Sequence, residues 1–405
     1  MKKIPFILKT SIVLASVASI ASADSIMKPF NDQGYGEISG RIRSVTMARD
    51  YDGKGNASNS TIGGIIGYTT PEFAGIDAGV AYNYAAEIFD NNHTAMLWND
   101  EIDILNEAWA RFNFGAAGAD KTTLIGGYKI NNGEVFRADD IRQKSRSLLA
   151  VLAESKDIDN LRITGGHAFK ASDVLQGETN GKHRWDFRDF GDIFSTHDYS
   201  HPTKNAYDDT DGVSWIETMF TGVDNLEVAL FDAYAWDVVN MLGTRIQYNV
   251  TSETAILAYG RYETDTGDMS SYEGTAFGAS VVQKVASVRL EAGYFGVYSD
   301  GLKFNQFTTG FNHALGSSLM VFAGQWNPGS DSYYFKATTK IEATGTVLYT
   351  LFNYNDNDND AYEWDLIAKQ PVVDNLMAVV KFGMGRKVQG DLSGTDIRFF
   401  LDYNF

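Results

Sequence analysis

The sequence predicts an all-β chain: a closed antiparallel transmembrane β-barrel of about eighteen strands, with sixteen or twenty as alternatives, short turns at one end and long loops at the other. Three observations predict it. Residues 396–405 alternate between an apolar and a polar face, residues 1–23 read as an export leader, and between them one strand-and-turn pattern repeats with no sustained helical period.

In the final stretch Ile397, Phe399, Leu401, Tyr403 and Phe405 fall on one face, and Asp396, Arg398, Phe400, Asp402 and Asn404 on the other. Such a strand lies between two unlike media. A strand that carries this alternation to a terminal phenylalanine, with no polar tail, is expected to pair with the first strand and close the barrel. At the other end, Lys2 and Lys3 precede an apolar run from Ile4 to Ala18, and Ala21-Ser22-Ala23 follows before Asp24. This is the pattern of a secretory signal peptide, expected over residues 1–23, which leaves residues 24–405 as the barrel domain. Past the leader no apolar run is long enough for a helical span. Export without helical spans leaves the periplasm, the medium or the bacterial outer membrane.

Composition narrows the classes further. The chain has no cysteine, so disulfides and thiolate metal sites are excluded. A mean hydropathy of -0.23 argues against helical membrane proteins but not against barrels, where only alternate residues are apolar. The 21 tyrosines and 25 phenylalanines would supply aromatic girdles at both membrane interfaces. The formal net charge of -18 becomes -21 once Lys2, Lys3 and Lys9 leave with the leader, with 31 basic residues against 52 acidic ones. That sign disfavours nucleic acid as a partner. It favours cations in a channel if the acids line the lumen. For most of the acids a solvated surface is the simpler reading.

From about Gly36 onward each segment repeats the alternation. Arg41 and Arg43 interleave with Ile38, Gly40 and Ile42; Trp109, Arg111 and Asn113 with Ala108, Ala110, Phe112 and Phe114. Tyr259, Arg261 and Glu263 oppose Ile256, Ala258, Gly260 and Tyr262; Arg289 and Glu291 oppose Val288, Leu290, Ala292 and Tyr294. Tyr334, Lys336 and Lys340 oppose Tyr333, Phe335 and Ile341. Charge on one face of so many strands is prohibitive in a packed core and acceptable in a wet lumen. Short connections at 71–75, 115–118, 155–160, 222–225, 250–253 and 371–375 alternate with longer ones at 50–59, 88–103, 131–145, 172–211, 265–273 and 355–360. Pro71, Pro202, Pro328 and Pro371 are all expected in connections, because proline cannot donate to a ladder. One pair of segments, 304–312 and 318–326, decides between eighteen strands, if it is a hairpin within one loop, and twenty, if it spans.

Four stretches stand out in chain order: Gly40-Arg41-Ile42-Arg43 through Arg49-Asp50-Tyr51-Asp52-Gly53, then Gly63-Gly64-Ile65-Ile66-Gly67-Tyr68 to Pro71, Gly126-Gly127-Tyr128-Lys129 leading into Asp139-Asp140-Ile141-Arg142, and Glu363-Trp364-Asp365-Leu366 to Phe405. Together they resemble the OprD-type family of outer-membrane channels. The resemblance implies an eighteen-stranded barrel, often a homotrimer, that conducts small solutes through the outer membrane. In some members a basic ladder on the wall faces acidic loop residues and favours basic amino acids or other charged nutrients. Residues 298–331 depart from it, lacking the long Gly/Pro-rich loop expected there.

In a channel the chemistry is selection at the narrowest point. The third long connection, with Glu134, Arg137, Asp139, Asp140, Arg142 and Lys144, is the candidate constriction loop, chiefly on the strength of that resemblance. Facing it are wall residues on the polar parity of their strands: Arg41, Arg43, Arg111, Arg245, Arg261, Arg289, Lys336 and Arg398. Each also has a plain reading, as a lumen cation paired to a neighbouring acid. Asp356, Asp358 and Asp360 offer hard oxygens for calcium but lack the glycine and glutamate spacing of an EF-hand, so a solvated loop is the better reading and no cofactor is expected. His183, His197 and His201 fit no zinc spacing, and their segment reads as a large surface loop that packs over the mouth or a neighbouring subunit. The expected partners are outer-membrane lipid, small hydrophilic solutes and ions, and further copies of the chain. An enzyme is not expected; a barrel hydrolase or an adhesin with a plugged pore are the rival classes, separated from a channel by hydrolase assays and by conductance.

Overall fold

Alternation at period two makes strands, and every long strand here finds two neighbours. The computed structural model describes residues 31–52, 55–91, 101–140, 142–173, 178–179, 182–183, 185–197, 210–267, 271–304, 328–356, 360–389 and 392–405. The expected signal peptide lies outside the described residues. The first strands are β1 (Glu37–Tyr51), β2 (Gly55–Thr69), β3 (Ile76–Asn91), β4 (Ile102–Asn113), β5 (Thr122–Lys129), β6 (Ser147–Ser155) and β7 (Leu161–Ser172). Three short strands follow, β8 (Glu178–Thr179), β9 (Lys182–His183) and β10 (Phe187–Asp189), and then a helix, α1 (Phe190–His197). The rest are β11 (Val213–Val223), β12 (Leu226–Ala235), β13 (Val239–Asn249), β14 (Thr254–Asp265), β15 (Glu273–Val285), β16 (Val288–Ser299), β17 (Ser330–Ile341), β18 (Thr346–Asp356), β19 (Ala361–Val373), β20 (Leu376–Gln389) and β21 (Leu392–Asn404).

Neighbours in sequence pair antiparallel from β1 to β7 and from β11 to β21; β7 pairs with β11, and β21 returns to β1. This circuit is a closed barrel of 18 strands, with β10 as an extra short strand on the end of β7. Closure leaves no long edge to aggregate. It is reciprocal at the seam: the Gly40 N–H donates to the Phe405 carbonyl at 2.9 Å, and the Phe405 N–H to the Gly40 carbonyl at 3.0 Å. A Cβ at Gly40 would run into the Phe405 ring, so the seam needs glycine there. Past Phe304 the segments that left twenty strands open lie outside the described residues. The described strands β16 and β17 pair directly, from Val288↔Thr339 to Val297↔Ser330.

The outward parity is apolar and exposed, with Ile66, Val80, Leu230, Leu242, Val281, Phe335 and Ile397 upon it. The inward parity carries Arg43, Asp77, Glu217, Arg261, Glu291, Lys336, Asp365 and Arg398, all buried. This inverts the usual distribution and is stable only if the exterior meets lipid. Exposed Trp236, Tyr262, Tyr298 and Tyr333 stand toward the loop end, and Phe112, Phe220 and Tyr248 toward the turn end, as two girdles require. Replacing outward Leu230, at the middle of β12, with arginine is therefore expected to cost about 2–4 kcal/mol in a bilayer, as for any lipid-facing charge near mid-depth. Reversible folding into lipid vesicles measures it, and a neutral L230R would mean the outer face does not meet hydrocarbon.

Three expectations need correction. The first long connection was placed at 50–59, but β1 and β2 stay paired out to Tyr51↔Gly55. Above the apolar band both faces of a strand can be polar, so the ladder continues where the hydrophobic period stops. Pro371 is not in a connection: it pairs with Met377 at the end of β19, beside a register irregularity, where a missing donor is tolerated. The histidine-bearing segment is not simply a surface loop. Helix α1 turns Phe190, Ile193 and Phe194 into an apolar cluster inside the barrel, with Val135, Phe136, Leu302 and Phe304 and the inward residues Trp215, Met241, Phe295 and Val297. Inner-wall residues of β6 to β16 thus pack against inward-folded chain over part of their length, while Lys284 and Arg289 toward the turn end stay exposed.

Candidate functional site

Residues 130–146, between β5 and β6, run into the barrel and are held on both sides. Toward β11 and β13 the hold is ionic and apolar. Glu134 accepts from Arg245 Nη2 at 2.8 Å and Nε at 3.0 Å, and Arg245 also reaches Glu227 at 2.6 Å. The Val135 N–H donates to the buried Glu217 carboxylate at 2.8 Å. A side chain on Gly133 would press on that carboxylate and push the Glu217 side chain aside. Phe136 meets Trp215 edge-on, ring centres 5.0 Å apart. An acid and an aromatic on neighbouring inward positions of β11 thus seat the first half of the loop.

The second half crosses to β1–β3 and β7. Asp140 sits between two guanidinium groups, with Arg41 Nη2 at 2.9 Å and Arg43 Nη1 at 2.8 Å. Arg43 in turn holds Asp402 of β21 through two bonds of 2.6 Å, and donates to the Arg142 carbonyl. Gln143 donates to Thr61 on β2 at 2.6 Å. Lys144 Nζ donates to the Ser145 carbonyl, Ser172 Oγ and the Asp173 carbonyl at 3.0, 2.9 and 2.8 Å. Arg146 joins Asp139, a residue with φ 47°, at 3.0 Å, and Asp173 at 3.3 Å.

The loop's titration follows from these contacts. Burial alone would raise the Asp140 carboxyl, but Arg43 and Arg41 outweigh it and hold it below the usual carboxylate range. Burial pushes the Arg137 guanidinium down, and burial with Arg398 and Arg49 nearby pushes Arg142 down to about 9. Burial also lowers the Lys144 ammonium to about 7, opposed by Asp173 and aided by Arg146.

All eight wall cations expected from parity face inward, and each has an acidic partner. Arg41 and Arg43 hold Asp140, Arg111 holds Asp77 at 2.6 Å, and Arg245 holds Glu134. Arg261 pairs with Glu263, Arg289 and Lys336 both reach Glu291, at 3.2 and 3.3 Å, and Arg398 reaches Asp396 at 2.9 Å. They do not form one strip. Arg41, Arg43 and Arg398 gather on β1 and β21, Arg111 is on β4, and the rest spread over β13–β17. Arg261 serves the loops: Glu263, its partner, also accepts from Tyr272 Oη at 2.6 Å and from the Lys303 N–H at 2.8 Å.

Three features were not foreseen. Arg49 joins Asp396 at 2.6 Å; its parity matches Arg41 and Arg43, but it stands at the edge of the expected loop and was not singled out. Glu217 was in a strand pattern with no sign that it caps a distant backbone. Lys381 stands directly opposite Arg398 across β20 and β21, both inward, with Lys381 Nζ 4.9 Å over the Phe400 ring. Of the suggested calcium ligands, Asp360 accepts from Tyr354 Oη at 2.9 Å, and Asp358 lies outside the described residues. No cluster of three or more His, Asp or Glu suited to a metal forms among the described residues.

No protein-family model matches the chain, and no curated protein matches it. Solved structures do. The structure of Pseudomonas aeruginosa OccK2 (OpdF) superposes with a TM-score of 0.71 at 14% identity, covering 91% of this chain and 97% of that one. Pseudomonas aeruginosa OpdK with vanillate gives 0.71 at 11%, covering 91% and 98%, and Acinetobacter baumannii OccAB4 gives 0.70 at 15%, covering 91% and 97%. The fold is that of the OprD-type porins, as the quoted stretches suggested.

Proposed function

We propose that this chain is an outer-membrane channel that passes small hydrophilic solutes and ions by diffusion. The observation that carries the reading is a closed barrel, apolar outside and charged inside, with one loop pinned across its interior by Asp140 and Glu134. Likeness in fold to porins supports it. A loop held so constricts the passage and places fixed charges at the narrowest level, which is how channels select.

The acid excess of the chain favours a mild cation bias for simple ions, through acids near the mouths that concentrate cations. A second reading, a channel selective for amino acids or other small charged nutrients such as carboxylates, is favoured by Lys381, an inward cation that stands opposite the Arg398–Asp396 pair. Vanillate, present in the OpdK structure, is such a carboxylate. Planar-bilayer recording tests both. Conductance steps are expected, with the reversal potential in a KCl gradient on the cation side. Silence would sink the channel, and an anion-side potential would sink the cation bias in favour of the second reading. Assembly into a homotrimer, implied by the family likeness, is tested by native mass measurement in detergent.

A further inference from the structure

Below the pinned loop, at the turn end of the barrel, lies a cavity of about 500 Å³. Gln247 and Asn249 of β13, Lys284 of β15, Arg289 of β16, and Asn225 and Glu253 of two short turns line it. Its upper wall is Leu257 and Val282, members of the apolar cluster that holds Phe136. One inward position above Gln247, Arg245 is tied to Glu134. The cavity thus lies between the apolar cluster and the turns that carry Asn225 and Glu253.

Its chemistry is uneven. Lys284 and Arg289 are direct cross-strand partners on the inward face. Two like charges so placed repel, and the pair gains from an anion between them. Arg289 leans to Glu291 at 3.2 Å yet keeps half of its side chain exposed. Glu253, the acid of the lining, lies in the turn, where its backbone carbonyl accepts from the Lys284 N–H at 2.7 Å. Beyond the cations the lining is rich in carboxamides, Asn225, Gln247 and Asn249, with Gln247 Nε2 donating to Asn249 Oδ1 at 3.2 Å. A carboxamide donates and accepts side by side, as a peptide group does. The volume falls in the range of small-ligand sites.

We propose that this cavity binds the carboxylate end of a short peptide presented from the periplasm. The cations take the carboxylate and the carboxamides take the adjoining peptide group. Only the sidedness rests on the channel reading; the binding does not.

The test is calorimetry on the purified full chain in detergent, with acetyl-alanyl-alanine as probe. Binding is expected, about tenfold tighter than for the C-terminal amide of the same peptide. Arg289→Gln and Asn249→Ala should each weaken it about tenfold, whereas Lys340→Ala, a change of exposed charge at the turn end of β17, should not. Heat-modifiable migration on gels confirms that each variant is a folded barrel. Equal binding of acid and amide, or unchanged binding by a folded Arg289→Gln variant, would overturn the proposal. Calorimetric binding by a protein that shows no conductance would refute the channel and keep the site; conductance without binding would do the reverse.

Discussion

Asp140→Asn is expected to raise single-channel conductance at neutral pH. Asp140 is the anion on which Arg41 and Arg43 converge, and both arginines stay on β1 whether or not the loop is present. Asparagine keeps the shape but removes the charge, so two guanidinium groups face each other with a neutral group between them. Hydrogen bonds to charged partners are worth roughly 1.5–3 kcal/mol each at best, and partial exposure of Asp140 takes that toward the low end. Even about 1.4 kcal/mol shifts the ratio of pinned to free loop tenfold. The barrel ladder is untouched, so the change should appear as larger and noisier steps, with folding intact. The parent should do the same in acid. The native Asp140 carboxyl lies below its ordinary value of 3.8. The folded state therefore binds fewer protons than the freed loop, and the tether is fully present above that ordinary value. It is lost as pH falls through the lowered one. Conductance of the parent against pH, beside a flat Asp140→Asn, checks this; identical conductance in the two proteins at neutral pH would remove Asp140 from control of the passage.

Phe136→Ala is expected to free the other half of the same loop. Phe136 is 1% exposed, set edge-on against Trp215 and near Phe190, in a cluster drawn from several segments of folded-in chain and the wall. Truncating a buried phenylalanine costs about 3–5 kcal/mol through lost transfer energy and the cavity left behind. In a soluble domain that loss would lower global stability. Here the barrel closes through its own hydrogen bonds, so the cost falls on docking of the loop and of α1. Protease access to residues 130–146 and 190–197 should rise while the barrel still migrates as folded. Phe136→Leu, which keeps most of the volume, should lie much closer to the parent. Unchanged protease access in a folded Phe136→Ala variant would show that the loop does not depend on this apolar seat.

How far the sequence could be read follows from which interactions are periodic. The barrel was legible because lipid on one side and polar groups on the other impose a period of two on every strand, from Ile42 and Arg43 to Phe399 and Arg398. Parity named the inward cations for the same reason. Partners across the lumen were not legible, since the contact of Asp140 with Arg41 joins positions 99 residues apart with no repeating pattern between them. The rim misled: Asn56, Ser58 and Ser60 have a loop-like composition, yet they sit in β2 because ladder hydrogen bonds outlast the apolar band. The segment of α1 misled in the opposite sense. Its polar flanks suggested a surface loop, whereas Phe190, Ile193 and Phe194 find their burial only against side chains of other loops.

The barrel class and the inward or outward facing of the strand residues were set by the sequence alone, because both depend on local alternation between two media. Tertiary structure decided the strand count, which charges neutralise one another, and where the loop is pinned. Those outcomes depend on side chains meeting across an enclosed space, and their geometry exists only after the sheet has closed on itself.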